Sequence, residues 1–283
     1  NALFISEYAP YIIAKIPSKS VEEIADNAEV TSVDMYFDLP KRDETSSSIP
    51  NISANYTRDN MMLTGKGVKV GILEMGYPNM NTSQLKDRNI ILDTSNNNAS
   101  AKVSPHATKV TSIVVGNTLG IVPDAAVYLA TSDDRAGDFE KIEWMISQGV
   151  NVINYSAGYD NAKGIYTDMA KWIDHLSYQL NVIFVKSAGN GGSDECITDP
   201  GMAFNGLTVG AISDNDSSNE PNWKDDEFAS YSAYREADGG FKPDLTAPGH
   251  SISVPGYVTA SGTSYSAPHV TGVVAQLFQL KPD

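Results

Sequence analysis

The chain is poor in cysteine, in positive charge and in long apolar runs. Cys196 is the only cysteine among 283 residues, which excludes an intrachain disulfide and leaves the redox compartment open. Lys and Arg number 20 against 35 Asp and Glu, a formal net charge of -15. That balance argues against nucleic acid as a partner and reads as an acidic, solubilising surface. No run of about 18 apolar residues occurs, so no membrane span is expected. With neither an initiator methionine nor a signal segment in view, the chain is expected to be a fragment or a processed product.

What is present fits a folded α/β protein. Hydrophobic residues make up 41% and charged residues 19%, enough for one large core with or without a small companion domain. Residues 1–37 read as a unit of their own. Ile12, Ile13 and Ile16 suggest a strand, Ser20 with Glu23 suggests a capped helix through Ala28, and Val30, Ser32, Val33, Met35 and Phe37 suggest a second strand. Residues 38–64 turn polar and Ser/Pro-rich and read as a linker. The main domain, 65–283, opens on the apolar run Val68–Leu73, typical of a buried parallel strand. Strands are expected at Val127–Ala130, Val152–Tyr155, Val182–Ser187 and Leu207–Ala211, and helices at Thr108–Val115, Phe139–Gln148 and Asp168–Leu180. This alternation predicts a mostly parallel sheet with helices on both faces. Trp144 and Trp172 fall on apolar helix faces and are assigned to the core.

The most informative segment is Ser261-Gly262-Thr263-Ser264-Tyr265-Ser266-Ala267-Pro268. It delivers Ser264 to the start of a helix whose apolar face is Ala267, Val270, Val273, Val274 and Leu277, with Pro268 expected in the first turn, where its missing N–H is harmless. A helix N-terminus points backbone donors outward, so a hydroxyl there can act as a nucleophile if a base is near. Glu74 follows the first strand of the main domain, His106 opens a helix, and Asn190 ends a strand before Gly191 and Gly192. Each alone has a plain reading: a solvated acid, a surface or capping histidine, a turn asparagine. Together, each at the end of an element, they fit nucleophilic acyl transfer, with an acid, an imidazole, an oxyanion donor and a hydroxyl. His175, His250 and His269 lack partner motifs and read as structural.

On these residues the chain resembles the subtilases, the subtilisin-like serine peptidases. Gly262–Pro268 is similar to their serine motif, His106-Ala107-Thr108-Lys109-Val110 to their histidine motif with Ala where Gly is usual, and Ser187–Asn190 to their oxyanion segment. Gly120–Ala125 and Lys242–Gly249 match as well. The resemblance implies a three-layer subtilisin-like fold and an endopeptidase, with Ser264 as nucleophile, His106 as general base and acid, and Asn190 as oxyanion donor. It implies a peptide-binding strand at Ser156, Ala157 and Gly158 and a specificity-pocket wall at Ser187, Ala188 and Gly189. Lys186 would bias that pocket's charge only if its side chain points inward. Residues 1–37 resemble the carboxyl half of the inhibitory propeptide. The expected partner is an extended polypeptide, and the expected location is outside the cell or on its surface.

Three features depart from the pattern. Glu74 stands where the family has Asp, one methylene longer. The calcium-loop insertion is missing around Gly116–Gly120, and the acidic run from Asp214 to Glu227 lacks the spacing of a calcium loop, so structural calcium is not supported and no cofactor is needed for the chemistry. The domain stops at Lys281-Pro282-Asp283, just after the serine helix, and is expected to be truncated there. Two rival readings remain beside the peptidase: an impaired subtilase-fold peptide binder, and a zymogen silenced by residues 1–37. Six N-glycosylation sequons occur, at Asn51, Asn55, Asn81, Asn98, Asn154 and Asn215, the fifth expected to be buried in a strand.

Overall fold

The structure is a computed structural model that describes residues 2–5, 12–14, 16–30, 45–94, 102–194, 197–214, 224–234 and 241–281. It divides into two units, Asn1–Pro40 and Lys41–Asp283. In the first, β1 (Ala2–Ile5) pairs antiparallel with β2 (Ile12–Ala14), and a 3-10 turn at Ser18–Ser20 leads into α1 (Val21–Ala25). Ser20 closes that turn, and the helix stops short of Ala28. There the Asn27 side chain accepts from the Glu29 N–H at 2.9 Å, a local bond that competes with helix continuation. Of the strand expected over 30–37, all but Val30 lies outside the described residues.

The stretch 38–64, expected to be a linker, carries α2 (Thr45–Asn51) and α3 (Ala54–Asn60). Ile49 and Ala54 are buried in the main core, and Ile52 packs against it. Three apolar side chains among serines and asparagines are enough to fasten both helices there, although the local composition is polar.

The second unit is built on one sheet. Its strands are β3 (Lys69–Glu74), β4 (Ile90–Leu92), β5 (Ala126–Thr131), β6 (Val152–Tyr155), β7 (Ile183–Ser187), β8 (Leu207–Ser213), β9 (Glu227–Phe228) and β10 (Leu245–Pro248). They run in the order β10-β8-β7-β6-β3-β5-β4, all parallel, and β9 adds antiparallel to β8. The expected strands at 68–73, 127–130, 152–155, 182–187 and 207–211 all appear within two residues. The helices are α4 (Pro105–Val115), α5 (Arg135–Ser147), α6 (Asp168–Leu180) and α7 (Thr263–Leu280).

Both faces of the sheet are covered, which is why its strands read as continuous apolar runs. Val70, Ile72, Val127 and Leu129 face α4 and α7, in one core with Val110, Ile113, Val270 and Val274. Leu73, Ala130, Ile153 and Phe184 face α5 and α6, in a second core with Ile142, Met145, Met169 and Ile173. Trp144 and Trp172 pack against that second core as expected. Gly71 lets α5 approach closely, since a Cβ there would stand 2.7 Å from Met145 Sδ. Side-chain caps fix the helix starts: Ser104 accepts from Ala107 N, Asp134 from Gly137 N and Thr167 from Ala170 N. Each such cap contributes about 0.5–2 kcal/mol. Because the strands are parallel, Glu74, Tyr155 and Ser187 all end at one edge of the sheet, where sites in this architecture gather.

Candidate active site

Glu74 is the last residue of β3 and is 3% exposed. Its Oε2 lies 2.8 Å from His106 Nδ1. His106 is the second residue of α4, behind Pro105, whose fixed φ suits a helix start and whose missing N–H is not needed there. Burial acts to lower the imidazole pKa, but the charge of Glu74 and its hydrogen bond outweigh that and leave it raised above 6.5. Lys109, one turn further along α4, opposes the rise weakly. The Tyr265 ring packs on His106 with centroids 5.4 Å apart, and Lys109 Nζ sits 5.5 Å from the same ring. The residue following Ser264 therefore touches the imidazole.

Ser264 is the second residue of α7, so its N–H is one of the four that no intrahelical bond uses. Its hydroxyl donates to the Ser156 carbonyl at 3.0 Å; among the described residues no bond joins it to His106. The Ser156 hydroxyl donates back to the Ser264 carbonyl at 2.9 Å. Ser156 is held in turn by Asn154 Nδ2 at 2.9 Å, and Asn154 Oδ1 by Thr271 Oγ1 at 3.0 Å. Asn154 is fully buried, so the sequon there faces the core as expected. The carbonyl of Ser264 is available because Pro268, four residues on, has no N–H to give it. Pro268 thus sits in the second turn of α7, not the first, and its usual helix penalty is offset by the bond from Ser156.

Asn190 projects beside the start of α7. Its Oδ1 accepts from Thr263 N at 2.9 Å and from Thr263 Oγ1 at 3.0 Å, while Thr263 Oγ1 itself accepts from Gly189 N at 3.1 Å. With the oxygen so occupied, Nδ2 is left as a donor. Thr263, which fixes that amide, was not anticipated from the sequence.

A cavity of about 300 Å³ adjoins Ser264. Ser156, Ala157, Gly158, Ser187 and Gly189, all named from the sequence, line it. Ala188 departs from expectation: it is fully buried with Ile197, Met202 and Ala233, because alternation along the chain turns it away from the cavity. Asp160 and Thr198 also line the space and were not anticipated. Lys186 is 4% exposed, with its amine against Ser187 and Thr198. Its side chain shares a face with Phe184, so strand alternation on a two-sided buried sheet was the signal for its direction.

Among the described residues no group of three or more His, Cys, Asp or Glu could hold a metal ion, and no helix is long and apolar enough to cross a membrane. Most of the acidic run 214–227, and the sequons at Asn98 and Asn215, lie outside the described residues.

A model of the subtilase family matches residues 47–283. The chain is 26% identical to a subtilisin of Bacillus sp. (strain TA39) over 311 aligned positions, covering 95% of this chain and 71% of that one. It is 23% identical to the minor extracellular protease Epr of Bacillus subtilis (strain 168), over 98% of this chain and 44% of that one. It thus spans from under half to about 70% of the length of these relatives. The solved structure of the prenylagaramide maturation protease PagA superposes with a TM-score of 0.64 at 22% identity over 81% of both chains, a likeness of fold.

Proposed function

The chain belongs to the subtilase family of subtilisin-like serine peptidases, and on that footing we propose that it hydrolyses internal bonds of extended polypeptides through an acyl-enzyme on Ser264. The carrying observation is the 2.8 Å bond from Glu74 to His106 Nδ1, which leaves Nε2 of the same ring to face a hydroxyl. The chemistry requires Ser264 Oγ to leave the Ser156 carbonyl and turn to that nitrogen. Catalytic hydrogen bonds commonly close only once substrate is bound. His106 takes the proton as Ser264 attacks the carbonyl carbon, then gives it to the leaving amine; water repeats the sequence to free the acid. Asn190 Nδ2 and the Ser264 N–H receive the oxyanion. Glu74 holds the tautomer and the charge of the imidazolium. The backbone of Ser156, Ala157 and Gly158 pairs with the peptide as an added strand, and a substrate side chain enters the cavity.

On this reading the chemistry draws on the chain's own side chains. Secretion is the matching location, in keeping with a relative named an extracellular protease. Residues 1–37 serve as folding aid and inhibitor, so their removal from the folded protein should raise turnover of a short peptide.

The rival reading, a peptide-binding protein with a silent site, rests on the Ser264 hydroxyl being engaged by Ser156. A fluorophosphonate probe separates the two. Wild-type protein should be labelled on Ser264 and Ser264→Ala should not; wild type that resists the probe favours the silent site.

A further inference from the structure

Lys186 is a buried amine without an anion of its own. Among the described residues no carboxylate lies within ion-pair distance of its Nζ; its partners are the Ser187 carbonyl, Ser187 Oγ at 3.3 Å and Thr198 Oγ1 at 3.1 Å. The Tyr155 ring lies 5.7 Å away. Two carboxylates act on the amine from a distance, and both have nearer cations. Asp199 is 2.7 Å from Arg135, and Asp160 is 3.5 Å from Lys163 at the surface. Burial outweighs those carboxylates and brings the amine down to about 7. A charge held this way is costly until an anion joins it.

The amine also reaches the wall of the cavity beside Ser264. Ser187, Thr198 and Gly158 all line that cavity. A Cβ on Gly158 would stand 2.9 Å from Lys186 Nζ and 2.7 Å from Thr198 Oγ1, so the amine packs directly against the Gly158 backbone. An ammonium has donors alone, so Ser187 Oγ must accept from it. The hydroxyl proton of Ser187 is then directed elsewhere, and the cavity is where an acceptor can take it.

We propose that Lys186, acting directly and through the Ser187 hydroxyl, makes this cavity selective for a carboxylate side chain, so that the enzyme cleaves after Glu in preference to neutral or basic residues. The proposal rests on the peptidase reading above and adds its substrate class. Asp160 also lines the cavity, but its side chain is largely exposed and lies beside Lys163, so solvent screens its charge; the cation behind the wall is desolvated and acts more strongly on whatever enters. A neutral occupant would leave that buried charge without an opposite one.

The test uses the full chain and four peptides that differ only in the residue before the cleaved bond: Glu, Gln, Leu or Lys. Wild type should cleave the Glu peptide with kcat/KM at least about tenfold above Gln, with Lys the poorest, as a single favourable charge contact of this kind supplies. Lys186→Met should invert the order of Glu and Leu. Wild type that cleaves Leu or Lys as well as Glu overturns the proposal, whether or not the Met variant folds. The same order is read without turnover by titrating Ser264→Ala with product peptides ending in Glu, Gln, Leu or Lys. Tightest binding by the Glu product supports the pocket's selectivity even if no peptide is cleaved, an outcome that would sink only the peptidase reading. Equal binding of all four overturns the selectivity on its own.

Discussion

Glu74 reaches His106 Nδ1 at 2.8 Å with one carboxylate oxygen, while the other, Oε1, is buried without a hydrogen-bond partner among the described residues. The longer arm therefore closes the distance that a family Asp would close, with the strand still in register with β5 through residue 74. The backbone here is adapted to Glu. Shortening the side chain withdraws the carboxylate by roughly 1 Å, a misplacement that costs on the order of 10²-fold in rate. Glu74→Asp should lower kcat accordingly, and Glu74→Gln should lower it by about 10⁴ through loss of the tautomer control and the charge. Full activity in the Asp variant would show that the strand end relaxes freely.

Asn190 is fixed by Thr263 through both the backbone N–H and the hydroxyl of that residue. Removing an oxyanion donor of this kind in a subtilisin costs about 2.7–4 kcal/mol, and Asn190→Ala should lose a similar amount, in kcat rather than KM. Thr263→Val keeps the shape but removes one of the two bonds to Oδ1. It should lower kcat by a smaller factor, with KM nearly unchanged, and the loss should vanish when measured on top of Asn190→Ala. Additive losses would show that Thr263 acts through something other than the amide.

The raised pKa of His106 has a direct kinetic signature. The imidazole must be neutral to accept a proton, so activity is lost as pH falls through its pKa. The acidic limb of kcat/KM should lie above the ordinary imidazole value of 6.5. In Glu74→Gln the influences that remain, burial and Lys109, both lower the pKa, so the limb should move to lower pH in what activity survives. A limb that stays in place would remove Glu74 from the electrostatics of the ring.

His269 controls acid stability rather than chemistry. It is fully buried, with Nδ1 2.7 Å from the Tyr265 carbonyl and Nε2 3.0 Å from Ser48 Oγ. A carbonyl only accepts, so Nδ1 carries the proton and Nε2 accepts from the serine of α2. Burial lowers its pKa to about 4 from the ordinary imidazole value of 6.5. The unfolded chain binds a proton in that interval and the folded chain does not, so stability is lost as pH falls from about 6.5 to about 4. The difference amounts to about 3 kcal/mol. His269→Asn, which keeps the donor to Tyr265, should be less stable than wild type at pH 7, and the gap should close by pH 4. A constant gap in urea unfolding across that range would refute the assignment.

Much of this was legible in the sequence because two-sided burial leaves long apolar runs. The strand ending at Glu74 and the helix Asp168–Leu180 could be read from patterning alone, and the motif serine, histidine and asparagine fell at element ends. What escaped notice depended on few residues or on direction. Ile49 and Ala54 anchor two helices from within a polar stretch. β4 is short and half-buried, and β10 ends in Pro248, so neither shows a strand pattern. The roles of Thr263 and Asp160 needed three-dimensional proximity, as did the distinction between Ala188, turned inward, and Gly189, at the cavity.

The absent N–H of Pro268 lets the Ser156 hydroxyl cap the Ser264 carbonyl, so one imino acid ties the start of α7 to the segment that follows β6. On the proposed peptidase reading, this tie couples the hydroxyl that attacks to the backbone that would hold the peptide, so a displacement of one is passed to the other.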